Sequence, residues 1–364
     1  MIQNECTKIL GIRHPIIQAP MAGGVTTTTL VTQASKAGCL GMIGAGYLSA
    51  EQLHEQILEI QKETPLFGVN LFVPKPFTID QGEVQEAQER LNPFRSVLGL
   101  DQQRASIKSF DKLKQTFDQQ IDVIISTSVP VCSFTFGLPS EDVVKRLKEN
   151  GTVLIGTATT VSEAIACEKA GMDLVTVQGS EAGGHRGNFL HHQEESMIGL
   201  MSLIPQVSDA VNIPVIAAGG IMEGRGIAAS LMLGAQAVQM GTAFLTTSES
   251  GAHSLHKDKI LSTTEDEVIL TRAFSGKWAR GIQNTYTLAM QQEQYLMPDF
   301  PITNSLTKPI RQAAGQQNNS EFLSLWSGQS PRLAKSESVR ELVTRVISEV
   351  DILLGDSPFS QERS

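Results

Sequence analysis

Eight short apolar runs, separated by segments of helical period and by glycine or proline, constrain the fold of this chain more than any other feature. They are Pro15–Ala19, Leu40–Ala45, Phe67–Leu71, Val123–Ser126, Val153–Gly156, Leu174–Gln178, Val215–Ala218 and Ala237–Met240. Most are continuously apolar, the pattern of strands covered on both faces. The segments Thr27–Ala37, Thr160–Ala170, Met197–Val211 and Arg225–Leu233 carry apolar residues at three- and four-residue spacing. Ser49-Ala50-Glu51-Gln52 and Thr160-Val161-Ser162-Glu163 have the form of capping boxes. Strand and helix alternating eight times predict an α/β fold, a (β/α)8 TIM barrel spanning 1–245. About fifty residues separate the third and fourth runs, so an insertion at about 73–120 is expected to form extra helices over the barrel. Residues 246–330 do not resume the alternation and read as a smaller, mostly helical cap subdomain. Residues 331–364 read as a C-terminal helix, over Glu337–Leu354, that returns to the barrel, followed by a tail.

Composition narrows the classes of function. A chain of 364 residues with 29 Lys+Arg against 38 Asp+Glu, net charge -9 and no basic block is not built for nucleic acid. The first ten residues lack a basic region followed by an apolar run, and no apolar stretch reaches the length of a membrane span, so a cytoplasmic protein without membrane attachment is expected. Cys6, Cys39, Cys132 and Cys167 are scattered, with no C-x-x-C pair, which disfavours a disulfide framework or cysteine zinc site. Oligomeric state is not readable.

In such a barrel the active site lies at the carboxyl ends of the strands. The first run ends in Ala19-Pro20-Met21, the third offers Asn70, the sixth Gln178, the seventh Gly219-Gly220 and the eighth Gln239-Met240-Gly241-Thr242. The last two groups supply backbone N–H groups and a hydroxyl with little side chain in the way, as a phosphate requires. An amide such as Asn70 or Gln178 matches the donor–acceptor edge of an isoalloxazine ring, or else caps a loop backbone. Phosphate turns and ring-edge amides in one barrel mouth point to FMN. No G-x-G-x-x-G follows a strand, so a Rossmann dinucleotide site is absent.

The sixth run leads into Gly179-Ser180-Glu181-Ala182-Gly183-Gly184-His185-Arg186-Gly187, a histidine on a glycine-rich loop. His185 is the candidate catalytic residue, as a base toward a carbon acid or as a donor to an anion. Arg186 reads equally as an anion contact or a surface ion pair, and Glu181 as a residue orienting His185 or as a solvated carboxylate. His191-His192-Gln193-Glu194-Glu195 lies in a polar loop with no fixed face, and no metal site is assigned.

Over nearly its whole length the chain resembles the FMN-dependent nitronate monooxygenase family, once described as 2-nitropropane dioxygenases. The resemblance rests on Pro15–Gly24, Phe67–Phe72, Gly179–Gly187, Ile213–Gly220, Gln239–Thr242 and Leu325–Gln329. It implies that Asn70, Gln178, Gly183, Gly220 and Gln239–Thr242 bind FMN and that His185 is catalytic. It also implies oxidation of anionic alkyl nitronates, propionate 3-nitronate above all, by O2 to a carbonyl compound and nitrite through a flavin semiquinone. Lys308 or Arg280 is the candidate for meeting the carboxylate, the second anionic group, of that substrate. The alternative is a related FMN barrel that accepts hydride from NAD(P)H, of the enoyl-acyl-carrier-protein reductase or quinone reductase type. There the residue after the histidine is typically aliphatic, whereas this chain has Arg186. A flavin-free sugar-phosphate isomerase or aldolase would need a lysine or paired carboxylates at strand ends, which are not found. A non-catalytic FMN-binding protein is the remaining reading.

Overall fold

The computed structural model describes residues 3–101 and 106–355. Eight parallel strands form one sheet: β1 (Ile16–Gln18), β2 (Met42–Gly44), β3 (Gly68–Phe72), β4 (Val131–Thr135), β5 (Val153–Ala158), β6 (Leu174–Gln178), β8 (Val215–Ala218) and β9 (Ala237–Met240). The order is β1-β9-β8-β6-β5-β4-β3-β2, and a parallel bridge between Ile17 and Leu40 brings its two ends together into a barrel. The helices are α1 (Glu5–Leu10), α2 (Thr28–Lys36), α3 (Ala50–Gln61), α4 (Gln81–Val97), α5 (Phe110–Ser126), α6 (Glu141–Glu149), α7 (Val161–Lys169), α8 (Leu200–Ser208), α9 (Gly224–Met232), α10 (Thr242–Leu245), α11 (Ser254–Ser262), α12 (Thr285–Ala289), α13 (Ile302–Gln316) and α14 (Val339–Gly355). Three further strands, β7 (Gly184–His185), β10 (Val268–Thr271) and β11 (Ala279–Ile282), make a small antiparallel sheet in the order β10-β11-β7.

Strand alternation divides the barrel into two apolar layers and one polar floor. Outward positions such as Ile43, Val69, Cys132, Leu154, Val175, Ala217 and Val238 pack under the helices. Inward positions near the strand starts, among them Met42, Val131, Ile155, Leu174 and Ile216, close around Cys6, Leu10 and Ile12 of the N-terminal segment. That segment plugs the bottom of the barrel. Two residues further along each strand the inward positions turn polar or small: Asn70, Ser133, Thr157, Thr176, Ala218 and Gln239 all face one cavity at the top.

The expected fourth strand at Val123–Ser126 is instead the last turn of α5. Phe117, Gln120, Ile121 and Ile124 are its buried face, a three- and four-residue spacing that overrides the short apolar run. The real strand, Val131–Thr135, carries its polar residues at alternate, inward positions and so does not read as continuously apolar. Ser49 and Gln52 form the expected capping box. At α7 only half of one forms: Thr160 Oγ1 accepts from Glu163 N at 3.2 Å, while the Glu163 carboxylate turns to Thr159.

A second apolar cluster lies above the barrel mouth. Val84, Ala87 and Leu91 of α4 pack there with Phe274, Tyr286, Ile302, Leu306 and Ile310, so the long β3–β4 connection and the segment after β9 share one core. The cap therefore contains the β10-β11-β7 sheet as well as helices. At the other end, α14 packs on α9 and α2 through Val339, Leu342, Val343, Val346 and Val350, and Gly224 N donates to Glu349 Oε2 at 2.6 Å.

Candidate active site

The cavity between barrel mouth and cap has a volume of about 1540 Å³. Its wall gathers Ala19, Pro20, Met21, Asn70, Gln178, Gly183, His185, Gly219, Gly220, Gln239, Gly241 and Thr242. Met240 is the exception among the expected residues. Alternation turns its side chain outward into the helix-facing core, where it is buried, and only its carbonyl serves the mouth region, accepting from Ala19 N at 2.9 Å.

One side of the cavity is lined by backbone. The N–H groups of Gly183, Gly219, Gly220, Gly241 and Thr242 have no acceptor among the described residues. Gly183 must be glycine, because a Cβ there would lie 2.6 Å from Gly328 N and from Ser327 C. Gly220, at φ 65, holds a left-handed turn that a side chain would strain. Gly328 N donates to Thr242 Oγ1 at 3.0 Å, which ties the segment 327–329 to the same cradle. Several converging donors with no side chain between them are what a phosphate requires.

The amides divide in their use. Asn70 Nδ2 donates to Ser133 Oγ at 2.9 Å and Thr135 Oγ1 at 3.0 Å, leaving Oδ1 unpartnered, and the Gln239 amide has no partner among the described residues. Gln178 behaves otherwise. Its Nε2 donates to His185 O at 3.0 Å and its Oε1 accepts from Gly187 N at 2.7 Å, so it clamps the histidine segment to the strand from which it leaves.

His185 itself does not sit on a free loop. It forms β7, with Ala279 of β11 as its register partner, and the next residue continues the attachment through Arg186 N and Trp278 O at 2.9 Å. Its half-buried ring packs against Phe136, Phe300 and Trp326 at centroid distances of 6.0, 6.0 and 5.4 Å. Nε2 lies 2.8 Å from Ser275 Oγ. That hydroxyl donates its only proton to Lys277 O at 2.9 Å, so Nε2 carries the hydrogen and Nδ1 the lone pair. Nδ1 has no partner among the described residues. Burial, with the Lys277 and Arg311 cations adding to it, pushes the His185 imidazole down to about 3, so the ring is neutral at neutral pH.

Three expected roles are not what the side chains do. Arg186 is fully buried beneath the segment, where Nη1 donates to Gly179 O at 2.5 Å and Nη2 donates to Gln178 O at 3.1 Å and Ser196 O at 2.7 Å. It supports the loop from below and does not face the cavity. Glu181 accepts from Leu200 N at 2.9 Å, at the start of α8, and does not touch His185. Arg280 is buried and donates from Nε to Ser180 O at 2.9 Å, away from the cavity wall that includes Lys308.

Other site residues gave no signal as isolated letters. Lys75 and Lys277 reach the cavity from loops and donate to Phe189 O at 2.8 Å and Asn188 Oδ1 at 3.0 Å. Burial and neighbouring Lys75 hold Lys277 down to about 8. Lys277 Nζ lies 5.1 Å from the centre of the Phe136 ring, and Phe136 has φ 73, a strained backbone for a bulky residue. Among the described residues the cavity wall holds Lys75, Lys108, Arg272, Lys277, Lys308 and Arg311 against only Glu194 and Asp299. A cationic cavity in a chain of net charge -9 selects anionic ligands.

A closed (β/α)8 barrel with a histidine, an amide cradle and a cationic cavity at the strand ends defines a TIM-barrel enzyme. Its covering cap contributes the strand that pairs with the histidine. The chain belongs to the nitronate monooxygenase family, an oxidoreductase family dependent on flavin, whose model matches residues 3–349. It is 50% identical over 354 residues to a probable nitronate monooxygenase of Staphylococcus haemolyticus, covering 96% of this chain and 98% of that one. Among solved structures it is similar to a nitroalkane oxidase from Streptomyces ansochromogenes, with TM-score 0.88, 37% identity and coverage of 96% and 98%. FabK from Thermotoga maritima is also similar, with TM-score 0.76, 30% identity and coverage of 98% of both chains. Among the described residues no helix is long and apolar enough to cross a membrane.

Proposed function

We propose that this enzyme binds FMN and oxidises alkyl nitronates, with propionate 3-nitronate as the substrate and O2 as the electron acceptor, to a carbonyl compound and nitrite. The observation that carries the reading is the meeting, in one cationic cavity, of neutral His185 with five backbone N–H groups that have no partner among the described residues. The residues fit FMN. Gly183, Gly219, Gly220, Gly241 and Thr242 would hold its phosphate, and Asn70 Oδ1, the Gln239 amide and the Ala19–Met21 segment would hold its ring system. When bound, FMN supplies the electron transfer between nitronate and O2.

The chain's own residues do the rest. A nitronate arrives already deprotonated, so the site needs positive charge more than a strong base, and Lys277 beside His185 provides it. A histidine held well below its ordinary range is a poor base toward a neutral nitroalkane, whose proton is only weakly acidic. Ser275 keeps the hydrogen on His185 Nε2 and the lone pair on Nδ1, so the hydrogen bonds and charge that an anionic nitronate needs would come from Lys277 and not from Nδ1. Phe136, Phe300 and Trp326 shield part of the ring from water.

The test is direct. The purified protein should be yellow, and the released chromophore should have the mass of FMN. Oxygen uptake and nitrite release with propionate 3-nitronate should far exceed those with the corresponding neutral nitro acid, and His185→Ala should keep FMN but lose most turnover. Rapid anaerobic reduction of the flavin by NADH or NADPH, with no nitronate turnover, would replace this reading with a reductase.

A further inference from the structure

Arg311, on the α13 face that lines the cavity, is a half-buried cation for which no acidic partner is found among the described residues. Its Nη2 donates to Asn304 O at 2.9 Å and to Asn304 Oδ1 at 2.8 Å. Its Nε is buried, and neither Nε nor Nη1 has an acceptor among the described residues. The charged or titratable groups acting on it are the phenols of Tyr47 and Tyr286, and no carboxylate is among them. Its neighbours in the wall differ. Arg272 is paired with Asp299, and Lys277 feels both Glu163 and Asp299. Lys308, one turn earlier on α13, is exposed.

A half-buried guanidinium with one N–H buried and no counter-ion is costly, and the cost is offset when a carboxylate enters and accepts from its fork of N–H groups. Arg311 also acts electrostatically on His185, so it shares the cavity region where the reacting group lies. Its anchoring to Asn304 fixes the plane of the fork before a ligand arrives, which limits the ordering cost of binding.

We propose that Arg311 is the specificity-determining residue of this site and binds a carboxylate carried on the tail of the substrate, while the nitronate end lies at His185. The inference rests on the nitronate reading for its reacting group and on Arg311 alone for its tail. Lys308 and Arg280, the cations first singled out in the sequence, do not take this role: Arg280 is committed to Ser180 O, and Lys308 stands in solvent.

The experiment compares kcat/KM for propionate 3-nitronate and for propyl-1-nitronate, which has no carboxylate, in holoenzyme. Arg311→Met should lower the preference for the carboxylate substrate at least about tenfold, mainly through KM, and Arg311→Lys should restore part of it. An unchanged preference in Arg311→Met, or the same drop in Lys308→Met, overturns the assignment. Calorimetric titration of the wild-type holoenzyme with butyrate and butyramide covers the case of a variant that fails to fold. Butyrate should bind at least about tenfold more tightly than butyramide, and equal binding overturns the proposal. A wild-type enzyme that oxidises neither nitronate refutes the nitronate reading, while comparison of the butyrate titration in wild type and Arg311→Met still decides the role of Arg311: a preference unchanged in the variant overturns it.

Discussion

Glu163 is fully buried at the start of α7 and should be worth about 3 kcal/mol to the fold through a single task, holding the wall of the cavity. Its Oε2 accepts from Thr159 N and Thr159 Oγ1, both at 2.7 Å, and its Oε1 accepts from Phe189 N at 2.5 Å and Leu190 N at 2.8 Å. The carboxylate thereby joins the β5–α7 corner to the segment whose carbonyls hold Lys75 and Lys277. Glu163→Ala leaves the Thr159 hydroxyl free to turn elsewhere but strands three backbone N–H groups, at about 1 kcal/mol each. With an unfolding entropy of ~2.1 cal/mol/K per residue over 364 residues, that loss lowers the melting temperature by roughly 4 °C. Glu163→Gln keeps one acceptor oxygen but turns an NH2 group toward the other two donors, so it should recover only part of the loss. Thermal unfolding followed by circular dichroism on flavin-free protein is the assay, because bound ligand would shift the midpoint by mass action. A change below about 1 °C in both variants would refute the reasoning, since it would mean that water satisfies these donors as well as the carboxylate does.

Three further outcomes are expected. Ser275→Ala releases His185 Nε2 and should lower kcat about tenfold with FMN retained; an unchanged kcat removes Ser275 as a positioning residue. Gly183→Ala forces a Cβ against Gly328 N and Ser327 C and should yield protein without visible flavin absorbance, so a yellow variant of normal FMN content contradicts the cradle. Stability should fall as pH drops below 6.5. His185 and His256, the latter pushed down to about 4 chiefly by burial, stay neutral when folded, whereas in the unfolded chain they take up protons at that pH. Unfolding therefore binds protons, and the stability they contribute is complete above 6.5 and lost toward 4. His256→Gln, which can still donate to Trp326 O, should show a shallower melting-temperature decline from pH 7 to 5; an equal slope contradicts the assignment.

What could be read in the letters follows from which interactions are local. Strand ends carrying Asn70, Gly219-Gly220 and Gln239 are legible because a barrel turns every second residue inward, and the same alternation turns the side chain of Met240, one residue past the inward Gln239, away from the cavity. The fourth strand was obscured by a neighbouring helix whose last turn is more uniformly apolar than the strand itself. Arg186 was misleading for a different reason. Beside a histidine on a glycine-rich stretch, a cation looks like part of the site, yet alternation along the short β7 attachment sends it beneath the loop to three carbonyls. Its presence therefore reports how the segment is supported and cannot distinguish nitronate oxidation from nicotinamide-linked reduction. Among the charges that do face the cavity, Lys75, Lys277 and Arg311 come from the β3–β4 connection, the β10–β11 turn and α13, and the packing of cap on barrel brings Lys277 and Arg311 to one histidine, with Lys75 beside Lys277. Under the proposed function, chemistry specific to the substrate would reside in the part of the chain with the weakest sequence pattern, while the barrel motifs encode the scaffold and the amide cradle that related enzymes can share.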